Sequence, residues 1–204
     1  MTQQNYTTLF LDIGNVLLTN GWDHQLRHQT ALKFALEEKE MNARHSLMFD
    51  TFEIGKISLD DYLNQVVFYE PRNFTLAEFK HYLFDQAKPF TEMIELVKKL
   101  KKEFGLKVIA ISNEGKELMV QRAKTFHLKE IFDSFICSGF VGLRKPDPAI
   151  FQLALDISQA LPSEAIYVDD RKLLVERMAT LGVKGIHHLC YEETKKELYQ
   201  LLVG

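Results

Sequence analysis

Four apolar segments of the chain each end in side chains that could carry out chemistry together. These side chains are Asp12 at the end of the first segment, Ser112 and Asn113 at the end of the second, Lys145 in GLRKPDP after the third, and Asp169 and Asp170 at the end of the fourth. Carboxylates are oxygen ligands of the kind that Mg²⁺ takes together with water and phosphate oxygens. A lysine and free backbone N–H groups bind phosphate. The set therefore predicts a site for a divalent cation and a phosphate group.

Asp12 is the candidate nucleophile of this set. A carboxylate with an ordinary pKa of about 3.9 is ionised at neutral pH and can attack phosphorus directly. A cation and Lys145 would offset the repulsion between the two anions and stabilise the charge that develops during transfer. Attack of water on the resulting aspartyl-phosphate would complete a hydrolysis.

The elements that must position these side chains are predicted to be buried parallel strands. The segments are rich in β-branched and aromatic residues and do not alternate polar with apolar positions. They span residues 7–13, 106–112, 134–138 and 164–170, with a weaker fifth segment at 185–189. Helical patterns separate the later segments, which predicts an α/β fold with a doubly wound (Rossmann-like) parallel sheet. Such sheets bind ligands at the carboxyl ends of their strands, where the candidate residues would meet.

The chain between the first two strands differs from the rest. Residues 20–88 contain no convincing strand and are predicted to form four helices, the first over residues 23–40 and the second over residues 44–52. We therefore expect an α/β core formed by residues 1–19 and 89–204, with an inserted all-helical cap over residues 20–88. An insertion at this point lies at the carboxyl edge of the sheet, where it could act as a lid.

Composition sets limits on the partners and the location. The chain has 204 residues, 46% of them hydrophobic, and a formal net charge of -3, which is typical of a globular protein. The lysines are dispersed, so we expect no nucleic-acid partner. The first residues lack a basic start and their apolar run is too short for a signal peptide or a membrane span, which predicts a cytoplasmic protein with no membrane partner. Cys137 and Cys190 lie outside any metal-binding or redox motif and are expected to be free thiols.

The segments FLDIGNVL, ISNEG, GLRKPDPAIF and YVDDRK resemble, in order and spacing, the four motifs of the haloacid dehalogenase (HAD) superfamily. The resemblance covers essentially the whole chain, and the helical insertion is similar to the cap of that family. DxGNV together with the paired aspartates most resembles the α-D-glucose-1-phosphate phosphatase-like branch. The resemblance implies a Mg²⁺-dependent phosphatase that acts on a small phosphorylated metabolite, with a sugar phosphate favoured. It leaves the oligomeric state open.

The resemblance also implies catalytic and phosphate-binding roles. Asp12 would be the nucleophile, and Lys145 would pair with Asp12 and with the phosphate. Ser112 would donate a hydrogen bond to the transferring phosphoryl group, with Asn113 beside it.

The implied metal ligands are Asp12, the backbone carbonyl of Gly14, and Asp170, which would bind directly or through water with help from Asp169. The family often carries a further acid five residues after the aspartate that corresponds to Asp170, and Val175 stands at that position here.

Gly14 stands where most phosphatases of this family carry a second aspartate, which protonates the leaving group. Loss of a general acid typically costs about 10² to 10⁴ in rate. The substrate could have a good leaving group, as an anomeric sugar phosphate does. Alternatively, His24 or another residue at the cap edge could supply the proton.

Two other functions remain open at this point. A metal-free 2-haloacid dehalogenase also lacks that aspartate, although the paired Asp169 and Asp170 argue against a site without metal. A catalytically weak member of the family could instead bind phosphorylated ligands or a protein. Trp22, just after the first strand, could line the substrate pocket, and it is equally expected as a packing anchor between cap and core.

Overall fold

Five parallel strands form one sheet in the order β3-β2-β1-β4-β5, which confirms the predicted doubly wound α/β fold. The strands are β1 (Thr8–Leu11), β2 (Lys107–Ser112), β3 (Ser134–Cys137), β4 (Ala165–Asp169) and β5 (Lys184–His187). The structure is a computed structural model that describes residues 5–203. Residues 1–4 and 204, which the predicted core includes, lie outside the described residues. None of the described helices has the length and hydrophobicity needed to span a bilayer.

Helices fill both the insertion and the connections of the sheet. In the insertion they are α1 (His24–Lys33), α2 (Glu38–Glu53), α3 (Leu59–Val66) and α4 (Leu76–Asp85). In the rest of the chain they are α5 (Thr91–Phe104), α6 (Lys116–Thr125), α7 (Ser138–Val141), α8 (Pro148–Ser158), α9 (Lys172–Ala179) and α10 (Tyr191–Val203).

The predicted helix over residues 23–40 is wrong, because the chain breaks inside it. α1 ends at Lys33, and Ala35 then adopts a left-handed φ of 49°. The Glu37 carboxylate accepts hydrogen bonds from the N–H groups of Lys39 and Glu40 and so caps the start of α2. Such hydrogen bonds at a helix N-terminus fix where a helix begins, whatever the hydrophobic periodicity suggests. Here they start a second, longer helix well before residue 44.

The sheet is buried on both faces. Leu9 and Leu11 of β1 pack on the side of α5 and α10, whereas Phe10 packs on the side of α8 and α9. This alternation follows from the two-residue period of a strand. Burial on both sides holds the carboxyl ends of the central strands in fixed positions.

The insertion packs around its own apolar cluster, which includes Trp22, Phe52, Tyr62 and Phe79, and it contacts the core through Leu118 of α6. Its two ends meet, since the N–H of Thr19 donates to the carbonyl of Lys88 at 2.8 Å. These contacts support the proposed division into a core and a cap over residues 20–88.

Candidate active site

The carboxyl ends of β1 and β2 border a cavity of about 210 Å³ beneath the cap. Five of the residues selected from the sequence line it: Asp12, Gly14, Trp22, Ser112 and Asn113. Asp12 sits next to the end of β4, because its N–H donates to the carbonyl of Val168 at 2.9 Å. The strand register thus brings the first and fourth motifs side by side.

Lys145 lies between two buried carboxylates. Its Nζ is 3.2 Å from Asp12 Oδ1 and 2.6 Å from Asp169 Oδ2, and the exposed fraction of Lys145 is only 3%. Burial lowers the pKa of Lys145, but the two carboxylates outweigh it and the pKa is raised above its usual value. Lys145 therefore remains a cation beside Asp12.

Burial raises the pKa of the Asp12 carboxyl, and the nearby Asp169 and Asp170 add to this effect against the attraction of Lys145. The N–H of Ile13 also donates to Asp12 Oδ1 at 2.7 Å, which favours the charged form. A bound cation would add positive charge at this position and favour the carboxylate further.

Asp169 already has hydrogen-bond donors on both oxygens. Oδ2 accepts from Lys145 and from the hydroxyl of Tyr167, and Oδ1 accepts from the N–H of Arg171 at 2.8 Å. Burial and Asp169 itself hold the pKa of Tyr167 well above its usual value, so this hydroxyl is a neutral donor. Asp169 is thus placed to hold Lys145.

Asp170 is placed differently. Its Oδ2 accepts from Asn15 Nδ2 at 3.0 Å, whereas its buried Oδ1 has no hydrogen-bond partner among residues 5–203, with Arg171 Nε 3.9 Å away. Ligand atoms of Asp12, Asp169 and Asp170 all lie within 4.8 Å of one another. An unsatisfied buried carboxylate oxygen beside two more carboxylates fits a hard cation such as Mg²⁺.

The turn after β1 depends on Asn15 rather than on Gly14, because Asn15 is the residue with a positive φ, 52°. Asparagine tolerates this left-handed conformation better than most residues. A Cβ built on Gly14 would lie 2.7 Å from Asn20 Oδ1, so the side chain of Asn20 takes the space beside Gly14.

The side-chain amide of Asn113 forms hydrogen bonds with the backbone of Lys145. Its Nδ2 donates to the carbonyl of Lys145 and its Oδ1 accepts from the N–H of Lys145, both at 2.8 Å. This pair of bonds joins the end of β2 to the loop after α7 and holds Lys145 in place. Ser112, also at the end of β2, is buried and lines the cavity, so its predicted phosphate contact stays a prediction.

Trp22 combines the two expectations. It lines the cavity, and its Nε1 donates to the hydroxyl of Tyr62 at 2.6 Å inside the cap. His24, the first residue of α1, is exposed and does not border the cavity. A binding role for His24 therefore stays a prediction without support from its position.

Glu53 is a residue of the cavity that the sequence analysis missed. It is the last residue of α2 and only 5% exposed, and its Oε2 lies 2.8 Å from Arg144 Nε. Burial raises the pKa of Glu53 to about 7, with Arg144 acting against this and Glu114 adding to it. No local signal in the sequence marks it, because Glu53 lies in the mixed stretch DTFEIGK with polar residues on both sides.

A second buried acid, Glu114, also lines the cavity, but it is firmly paired. Its Oε2 accepts from Arg122 at 2.9 Å, and Arg122 donates in addition to the carbonyl of Thr19 at 2.5 Å. Burial raises the pKa of Glu114, and the guanidinium of Arg122 opposes this. The pair connects the end of β2 with α6 and with the start of the insertion.

Known proteins similar to this chain belong to the family that the motifs resemble. Residues 6–172 match the haloacid dehalogenase-like hydrolase family. Over 199 residues the chain is 27% identical to a sesquiterpene phosphatase from Aspergillus oryzae, with 97% of each chain covered.

Two groups of solved structures share the fold. A HAD family enzyme from Bacteroides thetaiotaomicron, in complex with magnesium and inorganic phosphate, aligns with a TM-score of 0.75 and 19% identity over 89% of this chain and 93% of that one. An L-2-haloacid dehalogenase aligns with a TM-score of 0.63 and 19% identity over 89% of this chain and 83% of that one. The resemblance to one phosphatase branch stays a prediction. Because the family match spans most of the chain and includes the four motifs, the chain belongs to the haloacid dehalogenase-like hydrolases.

Proposed function

We propose that this hydrolase is a Mg²⁺-dependent phosphatase that hydrolyses a small phosphomonoester through a phosphoaspartyl intermediate on Asp12. The observation that carries the proposal is the position of Asp12. It forms an ion pair with buried Lys145, and it lies within 4.8 Å of Asp170, which has an unsatisfied oxygen. A nucleophilic carboxylate suits a dianionic phosphate when a fixed positive charge lies on one side of it and a metal-binding oxygen on the other.

Asp12, Asp170 and the carbonyl of Gly14 are the proposed ligands of Mg²⁺, and Asp169 is proposed to hold Lys145 because its oxygens already have donors. When bound, the cation would draw charge from the phosphate oxygens and offset their repulsion of Asp12. Lys145 and the hydroxyl of Ser112 would contact the remaining phosphate oxygens.

Two displacements at phosphorus make up the reaction. In the first, a bond forms between a carboxylate oxygen of Asp12 and phosphorus, and the ester bond breaks with its electron pair going to the leaving oxygen. In the second, water forms a bond to phosphorus, the bond to Asp12 breaks, and inorganic phosphate leaves. Lys145 stays charged throughout and stabilises the negative charge on the transferring group.

A metal-free dehalogenase is the first alternative, since a dehalogenase shares the fold. Such a reaction has no use for a cation, whereas Asp12, Asp169 and Asp170 form a group of the type that holds one. This difference favours the phosphatase. A catalytically weak binding protein is the second alternative, and the assembled nucleophile and lysine argue against it.

A small polar substrate fits the cavity best. Its volume is about 210 Å³ and most of its lining side chains are polar or charged, including Asp12, Asn20, Glu53 and Arg171. These properties support a sugar phosphate, which the motif resemblance also favours, over a long apolar phosphate ester. A cytoplasmic location and the lack of a nucleic-acid partner stay predictions.

Hydrolysis of p-nitrophenyl phosphate with and without chelator tests the proposal, followed by phosphate release from a panel of sugar 1- and 6-phosphates. We expect turnover that requires Mg²⁺ and that Asp12→Asn abolishes. The control Glu176→Gln removes an exposed acid of α9 and should turn over normally. Halide release from an L-2-haloacid without metal would favour the dehalogenase, and a folded protein inactive toward all phosphate esters would favour a binding role.

A further inference from the structure

The phosphatase proposed above lacks an acid at Gly14, and a side chain of the cap occupies a suitable place. We propose that Glu53 is the general acid that protonates the leaving oxygen, and that its carboxylate then accepts a proton from the attacking water. The assignment rests on the proposed function and names the residue that completes it.

Position is the first argument. Glu53 is the last residue of α2, and it lines the same cavity as Asp12. Its backbone is held to the core, because the hydroxyl of Ser138 donates to the carbonyl oxygen of Glu53 at 2.7 Å. A fixed helix end thus brings a carboxyl group into the cavity from the cap side.

The direction of the reaction is the second argument. In phosphoryl transfer the attacking and leaving oxygens lie roughly in line across phosphorus. Asp12 attacks from the strand ends of the core, so the leaving oxygen departs toward the opposite wall. The residues that line the cavity together with the strand ends include Glu53, Trp22 and Phe49 of the insertion, and we assign the leaving oxygen to their side of the cavity.

Charge is the third argument. Glu53 faces Arg144 from the loop after α7, Glu114 from the end of β2, Arg171 from the start of α9, and Asp50 from its own helix. Burial is the largest influence on Glu53 and raises its pKa to about 7. A group with such a pKa exchanges its proton readily at neutral pH, which a general acid that later acts as a base requires.

Glu114 is a weaker candidate for the same role. Its carboxylate accepts a well-formed hydrogen bond from Arg122, and a Cβ built on Gly21 would lie only 3.1 Å from Glu114 Oε2, so the group is also covered by backbone. Glu53 Oε2 lies 2.8 Å from Arg144 Nε, but the geometry is not that of a hydrogen bond.

The proton balance closes over the two displacements. As the ester bond breaks, the leaving oxygen takes the proton of Glu53 and departs as an alcohol, which leaves Glu53 as a carboxylate. Water then attacks the phosphoaspartate and gives one proton back to Glu53. The products are the alcohol and inorganic phosphate, and Asp12 and Glu53 return to their starting states.

The test compares two esters of similar shape and different leaving groups, phenyl phosphate and p-nitrophenyl phosphate. Phenol has a pKa of about 10, like a tyrosine side chain, whereas p-nitrophenol is a much stronger acid and needs little protonation. For Glu53→Gln we expect kcat/KM on phenyl phosphate to fall about 10²-fold or more, and the ratio of phenyl to p-nitrophenyl turnover to fall at least about tenfold. We also expect kcat/KM of the wild type to decline above about pH 7, where Glu53 loses its proton, and this decline to disappear in the variant.

Asp50→Asn is the matched control. Asp50 also pairs with Arg144 from α2, but it is exposed and does not line the cavity. This variant should change the ratio between the two esters far less than Glu53→Gln does, because Asp50 is the weakest of the influences named for the pKa of Glu53. Equal losses on both esters in Glu53→Gln, or the same change of ratio in Asp50→Asn, would overturn the assignment to Glu53 alone. A wild type that hydrolyses neither ester would instead overturn the proposed function, and this inference with it.

Discussion

The hydroxyl of Ser138 donates a hydrogen bond of 2.7 Å to the carbonyl oxygen of Glu53 and so joins the first residue of α7 to the last residue of α2. The same hydroxyl accepts from the N–H of Glu114 at 2.9 Å. All three residues are buried. One side chain of the core therefore satisfies backbone groups of both the cap and the end of β2.

Ser138→Ala should destabilise the protein by about 1–3 kcal/mol, because it leaves a buried N–H and a buried carbonyl without a partner. Urea unfolding followed by circular dichroism measures this cost. Ser46→Ala is the control, since Ser46 is exposed and bonds only within α2, and it should change stability by less than about 0.5 kcal/mol. Equal stability of the two variants would show that Ser138 does not hold the cap.

Gly55 and Gly105 offer a matched comparison of cap docking. Both follow a helix with positive φ, 74° and 64°, which an alanine adopts only with strain of about 1–2 kcal/mol. A Cβ on Gly55 would lie 2.4 Å from the carbonyl oxygen of Gly139 in the core, whereas a Cβ on Gly105 meets nothing within 4 Å.

Gly55→Ala should therefore cost about 1–3 kcal/mol more than Gly105→Ala, because a backbone contact between cap and core must open. It should also lower kcat/KM, while Gly105→Ala should leave turnover normal. Thermal unfolding and p-nitrophenyl phosphate turnover measure the two effects. Similar melting temperatures for the two variants would mean that the backbone near Gly139 moves aside without loss of folding free energy.

The side chains of the strand ends could be predicted from the sequence because a parallel sheet places them. Asp12, Ser112 and Asp169 each end an apolar segment, and the register of neighbouring strands fixes their mutual positions. Periodicity also predicted the helical insertion, but not the break near Ala35. There the Glu37 side chain, which binds the first N–H groups of α2, decides where that helix begins.

Glu53 could not be predicted in the same way. Its place in the cavity depends on how α2 docks against the core through Ser138 and Gly55, and contacts between distant segments leave no local pattern. The roles of Asn15 and Asn113 depend likewise on long-range hydrogen bonds, to Asp170 and Lys145. Local patterns thus gave the half of the site built on strands, and tertiary contacts decide the rest.

Mg²⁺ should stabilise the folded protein, because only the folded chain brings Asp12 and Asp170 together. At a concentration 100 times the Kd the gain is about 2.7 kcal/mol, visible as a rise in melting temperature over a sample with chelator. Asp170→Asn should remove most of this rise. Glu176→Gln, which removes an exposed acid on α9, should keep it, and a rise that persists in Asp170→Asn would mean that Mg²⁺ binds elsewhere.

Glu53 should make stability depend on pH in a defined direction. Its pKa is about 7 in the folded chain against an ordinary value of 4.5, because burial disfavours the carboxylate. The folded chain thus binds this proton more tightly than the unfolded chain does, so the free energy of unfolding falls as the pH rises from about 4.5 to about 7. At 1.36 kcal/mol per pKa unit the loss is about 3 kcal/mol.

Glu53→Gln keeps the size of the side chain and removes this titration. Between pH 5 and pH 8 the wild type should therefore lose about 2–3 kcal/mol more than the variant, as measured by urea unfolding at each pH. Buried acids that both proteins share and that do not act on Glu53, such as Asp12, cancel in the difference. A difference between the two proteins that stays constant from pH 5 to pH 8 would mean that Glu53 is already ionised at low pH, and that it holds no proton to donate at neutral pH.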